Sequence, residues 1–425
     1  MKRSLPPLFQ RFLASGIIQS SAIVYLGSLA NAGLSFFSSV LLGRSLGPGA
    51  YGLFSTAVAA LLLLNEMTDL GINPGLIRYA AYYLQRGEIE NARTTFRFAF
   101  RSRVFFTLFF VSGGFIFAPL LATLLGQPSL TPLLRVAFLG VIPFVLMSFF
   151  GAVLQAEQRF GRYISLNLVS GASRMLITLA VIHSHLTPLT AVAAYTVSPL
   201  AAALMGIFLV NRSLLTLTTY NREVIRQVRS FSLWMASWAL FASIQGRLDQ
   251  FMVTRMLGDT AAGQYAAAYQ LSAVFTFLVA AIGTVLNPRL AGMAVGKLRA
   301  AARMNRSYVI IVVLAGIGIA LAGHALLPLL FGLKYAAALP LFSWLLVGLT
   351  FFGLSALPNS ILNALNRPYV FSISSAIGLV LTGICNLIFI PRYGLIGVGY
   401  TFGIVNAAGY LVSYFCMHFF LKQAE

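Results

Sequence analysis

Arg174 stands near the middle of the apolar run 163–184, with no other Lys, Arg, Asp or Glu between Arg162 and Arg212. Asn167, Ser170, Arg174 and Thr178 follow i, i+3, i+7 and i+11 spacing, so on a helix they share one face. A guanidinium can grip a phosphate through two parallel charged hydrogen bonds, which suits this stripe to an anion. The alternative is a structural arginine tied to a carbonyl or carboxylate of another helix. Arg247 and Asp249 form a second constellation in the run 231–256. Two residues apart on a helix is about 200° around the axis, so they point to opposite sides. Arg247 falls with Ser243, Gln250 and Thr254, a face suited to a polar cavity; Asp249 falls with Gln245, where it either binds a neighbouring helix or carries a coupling ion.

Glu66, Asp69 and Asn73 make a third stripe at i, i+3 and i+7. Carboxylates this close repel unless one is protonated or a cation sits between them. Arg78 and Arg289, beside the similar Asn-Pro pairs 73–74 and 287–288, are the candidate counter-charges. The stripe reads as a gate closed by a salt bridge, as a proton or Na⁺ site, or as a static helix-end pair. Hydroxyl stripes at Ser21, Tyr25, Ser28 and Ser35, and at Tyr265, Tyr269, Ser272 and Thr276, suit either a cavity wall or the polar contacts that join helices in lipid. No metal-ligand spacing occurs among the four histidines and two cysteines, and Cys385 and Cys416, inside the last two apolar runs, are expected as free thiols.

The elements that must position these residues are membrane helices. The chain is 59% hydrophobic and only 9% charged, against roughly 25% charged in a soluble domain. Twelve apolar spans are expected, at 17–42, 51–73, 104–126, 131–155, 163–184, 188–210, 231–256, 262–286, 308–332, 337–362, 369–390 and 395–421. Each is long enough for about 30 Å of bilayer, and too long and too continuously apolar for a β-barrel strand. The first exceeds a signal-peptide core and is followed by eleven others, so the basic start (Lys2, Arg3, Arg11) is not read as a cleaved leader. Pro6 and Pro7 break the tail before it. Of the 29 Lys and Arg, Arg44, Arg255, Lys334 and Arg392 fall on one side, Arg135, Arg174 and Arg247 within spans, and all others on the opposite side. The positive-inside rule then makes both termini cytoplasmic. It also explains most of the +20 net charge without nucleic acid, the basic face being matched to anionic lipid headgroups. The segment 76–103, with six arginines, reads as an interfacial helix.

The chain repeats itself. Aligning Arg44 with Arg255 pairs Leu46 with Leu257, Gly47 with Gly258, Ala50 with Ala261 and Gly52 with Gly263, with Phe54 opposite Tyr265. In the same order, "NPGL" (73–76) matches "NPRL" (287–290), "LQAEQR" (154–159) matches "LNALNR" (362–367), and "AYT" (194–196) matches "GYT" (399–401). The expected organisation is all-α: a six-helix bundle in 1–210, a basic cytoplasmic linker in 211–230 and a second six-helix bundle in 231–425. Six helices per half give both bundles the same orientation, a parallel repeat that can rock about a cavity between them. Such an architecture belongs to a transporter.

"RSLGPGAYGLFS" (44–55), "DLGINPGLIRYAA" (69–81) and "GRLDQFMVTRMLGDTAAGQYAAAY" (246–269) resemble the polysaccharide-transporter or Wzx-type oligosaccharide flippases, relatives of the MATE exporters and the lipid II flippase in the MOP superfamily. The resemblance covers essentially the whole chain. It implies a MATE-like fold and alternating-access export of a polyprenyl-diphosphate-linked, anionic oligosaccharide across a prokaryotic plasma membrane. It also implies coupling to H⁺ or Na⁺, contacts with membrane lipids and polysaccharide-assembly proteins, and sufficiency of a monomer. The "RLD" at 247–249 matches what this family often shows at the start of its second half. A MATE-type exporter of cationic compounds is the alternative, but the first span has no carboxylate, and the deepest charge is Arg174. An enzyme is not expected. Asp69, Asp249 and Asp259 are too far apart in sequence for a Mg²⁺–diphosphate cluster, and no outer connection exceeds roughly ten residues on this span assignment.

Overall fold

The computed structural model describes residues 16–211, 221–291, 293, 295–303, 305–365, 367 and 369–423. The basic tail with Pro6 and Pro7, most of the linker, and the side chains of Ser21 and Arg289 lie outside the described residues. The described elements are all helical: α1 (Gly16–Asp69), α2 (Ile72–Gln85), α3 (Ile89–Leu124), α4 (Leu130–Leu139), α5 (Val141–Ala156), α6 (Phe160–His183), α7 (Pro188–Leu209), α8 (Arg222–Ala291), α9 (Val295–Arg303), α10 (Asn305–Phe331), a 3₁₀ turn (Leu333–Ala338), α11 (Leu339–Ala364), α12 (Tyr369–Tyr393) and α13 (Leu395–Gln423). Among the described residues, nine helices are long and apolar enough to cross a membrane. This is an all-α, multi-pass membrane protein, because a helix is the single-segment way to satisfy every backbone N–H and C=O in lipid.

The duplicated sequence has a duplicated backbone. Gly47 (φ 76°, ψ 169°) breaks α1 into two rods, and Gly258 (φ 83°, ψ −177°) breaks α8 in the same way. That conformation is open to glycine and closed to L-residues with a Cβ. At the end of α5, Glu157 N–H donates to Val153 O at 3.0 Å and Arg159 N–H to Leu154 O at 2.8 Å. At the end of α11, Leu365 N–H donates to Ile361 O at 2.9 Å and Arg367 N–H to Leu362 O at 3.0 Å. The "LQAEQR" and "LNALNR" motifs are therefore one C-terminal turn used twice.

The chain divides into two compact units. Unit 1 comprises 1–39, 60–118 and 132–239; in it α6 packs on α7, α5 on α7 and α2 on α5, around Phe96, Phe149, Leu76 and Val228. Unit 2 comprises 40–59, 119–131 and 240–425, with α11 packed on α13, α12 on α13 and α10 on α11. The expected interfacial helix over 76–103 is divided. The amphipathic α2 ends at Gln85, Gly87 (φ 74°) turns the chain, and α3 starts at Ile89 and runs on through the expected third span. Only the glycine interrupts, since 89–103 is rich in good helix formers with Arg93 paired to Glu90 three residues before it.

Candidate functional site

Unit 1 holds Arg174 on α6. Its Nη1 donates to Ser35 Oγ at 3.1 Å and its Nε to Ser198 Oγ at 3.5 Å, and its guanidinium carbon lies 4.3 Å from the centre of the Tyr195 ring. Tyr195 in turn stacks on Phe144 at 5.7 Å. Every one of these partners is neutral, and none of the ion pairs among the described residues involves Arg174. The charge is oriented by hydroxyls and a π-face, with no carboxylate in the group. Ser35 from the expected first stripe belongs to this group; Tyr25 and Ser28 are exposed on the same rod. Ser170 and Thr178 share the Arg174 face but are buried at 3% and 1% exposure, and Asn167 donates to Tyr163 O at 3.1 Å. In that stripe Ser170 and Thr178 are packed away, while Arg174 and Asn167 are half-buried.

A second arginine in the same unit has the opposite surroundings. Arg103 on α3 is 1% exposed, its Nη1 3.1 Å from Asp69 Oδ1 and 3.3 Å from Thr68 Oγ1, its Nη2 2.7 Å from Ser148 Oγ. Asp69 also accepts from Asn73 N–H at 3.1 Å, and Asn73 Nδ2 reaches Ser148 Oγ at 3.5 Å. Glu66 is exposed one turn earlier. The counter-charge to Asp69 is thus Arg103, not Arg78: the Arg78 guanidinium lies over the rings of Phe231 (4.7 Å) and Tyr79 (5.7 Å), both within unit 1. Arg78 sits on α2, whose apolar face is pinned where Gly71 and Gly75 meet Ser232, and it follows that face to Phe231.

In unit 2, Asp249 on α8 is 5% exposed, accepts from Asn386 Nδ2 at 2.6 Å through Oδ1 and from the Tyr265 hydroxyl at 3.5 Å through Oδ2. Tyr265 stacks on Tyr269 at 5.8 Å, and Arg247, on the same helix, is half-buried. Asn386 Oδ1 is buried with no hydrogen-bond partner. Ser243 is half-buried. Gln250 and Thr254, expected beside Arg247 on a cavity face, are instead buried at 6% and 1%: Gln250 Nε2 donates to Thr56 Oγ1 (3.0 Å) and Ser55 Oγ (3.2 Å), and Thr254 Oγ1 meets Thr56 Oγ1 at 2.8 Å. Ser272 and Thr276 bond back to Tyr269 O and Ala273 O within α8.

Those Thr56 contacts belong to a seam made of the repeat itself. A methyl on Gly52 would overlap the Asp259 carbonyl, and one on Gly263 would overlap the Pro48 carbonyl. The two glycine turns therefore pack backbone to backbone. The seam is extended by Tyr335 OH to Gly43 O at 2.6 Å, Arg44 Nη1 to Leu329 O at 3.1 Å, and the rings of Tyr51, Phe54, Phe331 and Tyr335.

Sequence reasoning missed Arg103, hidden in a run of arginines that looked like topology determinants. It also missed Tyr195, Ser198 and Asn386, of which Asn386 was visible as a lone amide in an apolar run.

Residues 17–294 match the family model described as polysaccharide biosynthesis protein. The chain is 25% identical over 420 residues to the lipopolysaccharide biosynthesis protein WzxC of Escherichia coli (strain K12), covering 91% of this chain and 77% of that one. It is 21% identical over 378 residues to a putative O-antigen transporter of Shigella flexneri, covering 85% and 88%. Its fold is similar to that of a multidrug resistance MATE family transporter of the MOP superfamily in its inward-facing conformation (TM-score 0.78, 16% identity, covering 95% and 98%). It is similar also to lipid II flippase MurJ in an inward closed conformation (TM-score 0.78, 12% identity, covering 95% and 90%). With the match extending over well more than half of its length, the chain belongs to the polysaccharide biosynthesis protein family.

Proposed function

We infer that this protein is a flippase, a transporter and not an enzyme, that moves a polyprenyl-diphosphate-linked oligosaccharide across the membrane by alternating access. The observation that carries this reading is Arg174: a guanidinium on an apolar helix, aimed by Ser35, Ser198 and Tyr195 and paired with no carboxylate among the described residues. A diphosphate supplies the missing anion and accepts two parallel hydrogen bonds. Arg247, near Tyr269 and Ser243, is the second cation that the headgroup or an acidic sugar meets. The names of the relatives support the reading, as does the likeness in fold to a lipid II flippase. A cation exporter of MATE type is less well supported, because a cation gains nothing from an unneutralised arginine.

In this reading the chain crosses the prokaryotic plasma membrane twelve times, with α1 and α8 each supplying two crossings around Gly47 and Gly258 and both termini in the cytoplasm. The glycine seam is then the outer closure, which parts when substrate leaves. The cycle is coupled to H⁺ or Na⁺ at Asp249, where the orphaned Asn386 Oδ1 and the carboxylate offer oxygens to a cation or an added proton. The Asp69–Arg103 knot holds the inner end of unit 1 in shape, with Glu66, Asn73 and Arg289 left as candidates for an inner gate. A single chain suffices for the cycle, with polysaccharide-assembly proteins as its partners.

The test is reconstitution. Wild-type protein in liposomes should flip a diphosphate-linked polyprenyl oligosaccharide and should not expel a cationic dye; dye efflux without flipping would reverse the assignment. Topology has its own check. In a protein lacking Cys385 and Cys416, a cysteine at Leu333, 83% exposed, should react with an impermeant thiol reagent from outside intact cells, and one at Gln85 should not.

A further inference from the structure

A groove of about 620 Å³ opens along unit 2, with α13 as its floor (Tyr400, Gly403, Ile404, Ala407), α11 as one wall (Trp344, Val347, Phe351) and α12 as the other (Phe389, Tyr393). Gly399 and Gly403 let the Trp344 ring settle close to α13. Trp344 meets Tyr400 edge to face at 4.7 Å, Tyr393 meets Tyr400 at 5.4 Å, and Phe389 meets Tyr393 at 6.0 Å. Flat rings fixed by one another make rigid walls.

The lining is ordered by polarity. Trp344, Tyr393 and Tyr400, rings with a polar edge, cluster together with Phe389 toward the Gly394 turn that joins α12 to α13. Farther from that turn come Val347, Phe351, Ile404 and Ala407, which have no polar side-chain atom. From Trp344 to Phe351, or from Tyr400 to Ala407, is seven residues, about 10 Å along the axis. Half of a bilayer's hydrocarbon core is about 15 Å. Rings of the amphipathic kind belong at headgroup level, so the groove starts at the interface and ends near the midplane. Arg392, exposed in the last turn of α12, directly precedes Tyr393 of the lining in the chain.

We propose that this groove is a binding site for one acyl chain of an anionic phospholipid, with its headgroup phosphate at Arg392 and its chain lying along Gly403 toward Phe351 and Ala407. A one-leaflet depth fits an acyl chain, whereas a long polyprenyl chain would overrun it. A sugar ring would find too few partners, since the lining offers one indole N–H and two phenol hydroxyls and neither a carboxylate nor an amide. Burial from water gives no advantage over bulk lipid here, so the selectivity comes from packing against the rings and from the headgroup charge. The proposal needs only that the chain spans a membrane, and stands apart from what the protein transports.

Tryptophan fluorescence tests it directly. The chain has three tryptophans, so Trp234→Phe with Trp238→Phe leaves Trp344 as the reporter. That variant is placed in phosphatidylcholine bilayers doped with a small fraction of chain-brominated phosphatidylglycerol or, separately, chain-brominated phosphatidylcholine. Quenching by the anionic lipid should saturate at about fivefold lower mole fraction, the worth of one arginine near a net anionic headgroup, since the phosphate of phosphatidylcholine is offset by its own ammonium. Arg392→Gln, at an exposed position, should erase the preference, and Ala407→Phe, which fills the deep end, should weaken quenching by both lipids. Equal quenching by the two lipids that neither substitution alters would overturn the proposal. So would protection of Trp344 by a soluble oligosaccharide, which marks a sugar platform, or by a polyprenyl phosphate in preference to phosphatidylglycerol.

Discussion

Arg103 and Arg174 lie in the same unit, on apolar helices, each oriented by two hydroxyl groups, and there the likeness ends. Arg103 is fully buried and meets a carboxylate at 3.1 Å, so its charge is spent inside the protein. Arg174 is half-buried and rests on Ser35, Ser198 and the Tyr195 face, none of which can neutralise it. A buried ion pair is strained by desolvation but collapses if one partner is lost. A charge aimed by neutral groups costs the fold less to lose, which is why the proposed function assigns Arg174 to the substrate. The contrast separates a strut from the proposed ligand site.

The largest effect should come from breaking the strut. Arg103→Ala leaves Asp69 buried without its cation, an expected loss of about 3–5 kcal/mol, read as a lower thermal midpoint and poor recovery of monodisperse protein. Replacing both members by apolar residues of similar size, Arg103→Met with Asp69→Leu, should restore most of it. If the double variant is no better than the single one, the pair is not what Arg103 does.

The same logic applied to unit 2 predicts a smaller effect. Gly263→Ala drives a methyl into the Pro48 carbonyl and should cost about 1–3 kcal/mol by overpacking, whereas Gly246→Ala, with open space around it, should be silent. Equal midpoints for the two would remove the seam as a close-packed joint. For transport, Asp249→Asn should leave the midpoint near wild type and abolish the dependence of flipping on the coupling ion; an unchanged ion dependence would take coupling away from Asp249.

The smallest effect concerns Glu157, in the turn after α5. Burial pushes its carboxyl above the usual range, and Arg159 at 3.1 Å with Arg162 only partly offsets this. A carboxyl raised in the folded state favours folding below its unfolded value, and that contribution is lost as pH rises through the raised one. Glu157→Gln should therefore be more stable than wild type at neutral pH, with the gap closing as pH falls toward the ordinary carboxylate range. A gap that widens in acid would mean the Arg159 pair dominates.

Much of this is legible in the sequence. Hydropathy gives an all-α membrane protein because lipid allows only helices to cross singly, and Gly47 and Gly258 announce the duplicated turn because no other residue takes that backbone. Arg174 stands out in the sequence as an isolated charge in an apolar run, and the structure gives it only neutral partners. Periodicity placed Gln250 and Thr254 on one face with Arg247, but it cannot say what a face meets, and Thr56, nearly two hundred residues away, turned that face into a packed seam. Arg103 was illegible for a related reason. One arginine among six looks like a topology signal until a distant helix brings Asp69 and Ser148 to it.

The measurement closest to the central claim compares flipping of a diphosphate-linked polyprenyl oligosaccharide by wild type, Arg174→Lys and Arg174→Gln in proteoliposomes, with thermal midpoints taken on the same preparations. The account predicts unchanged midpoints, a reduced rate for Arg174→Lys, which keeps the charge without the two-pronged grip, and a loss of about tenfold or more for Arg174→Gln, as expected for a charged hydrogen bond. Wild-type flipping by Arg174→Gln, or a collapse of its midpoint like that of Arg103→Ala, would contradict it.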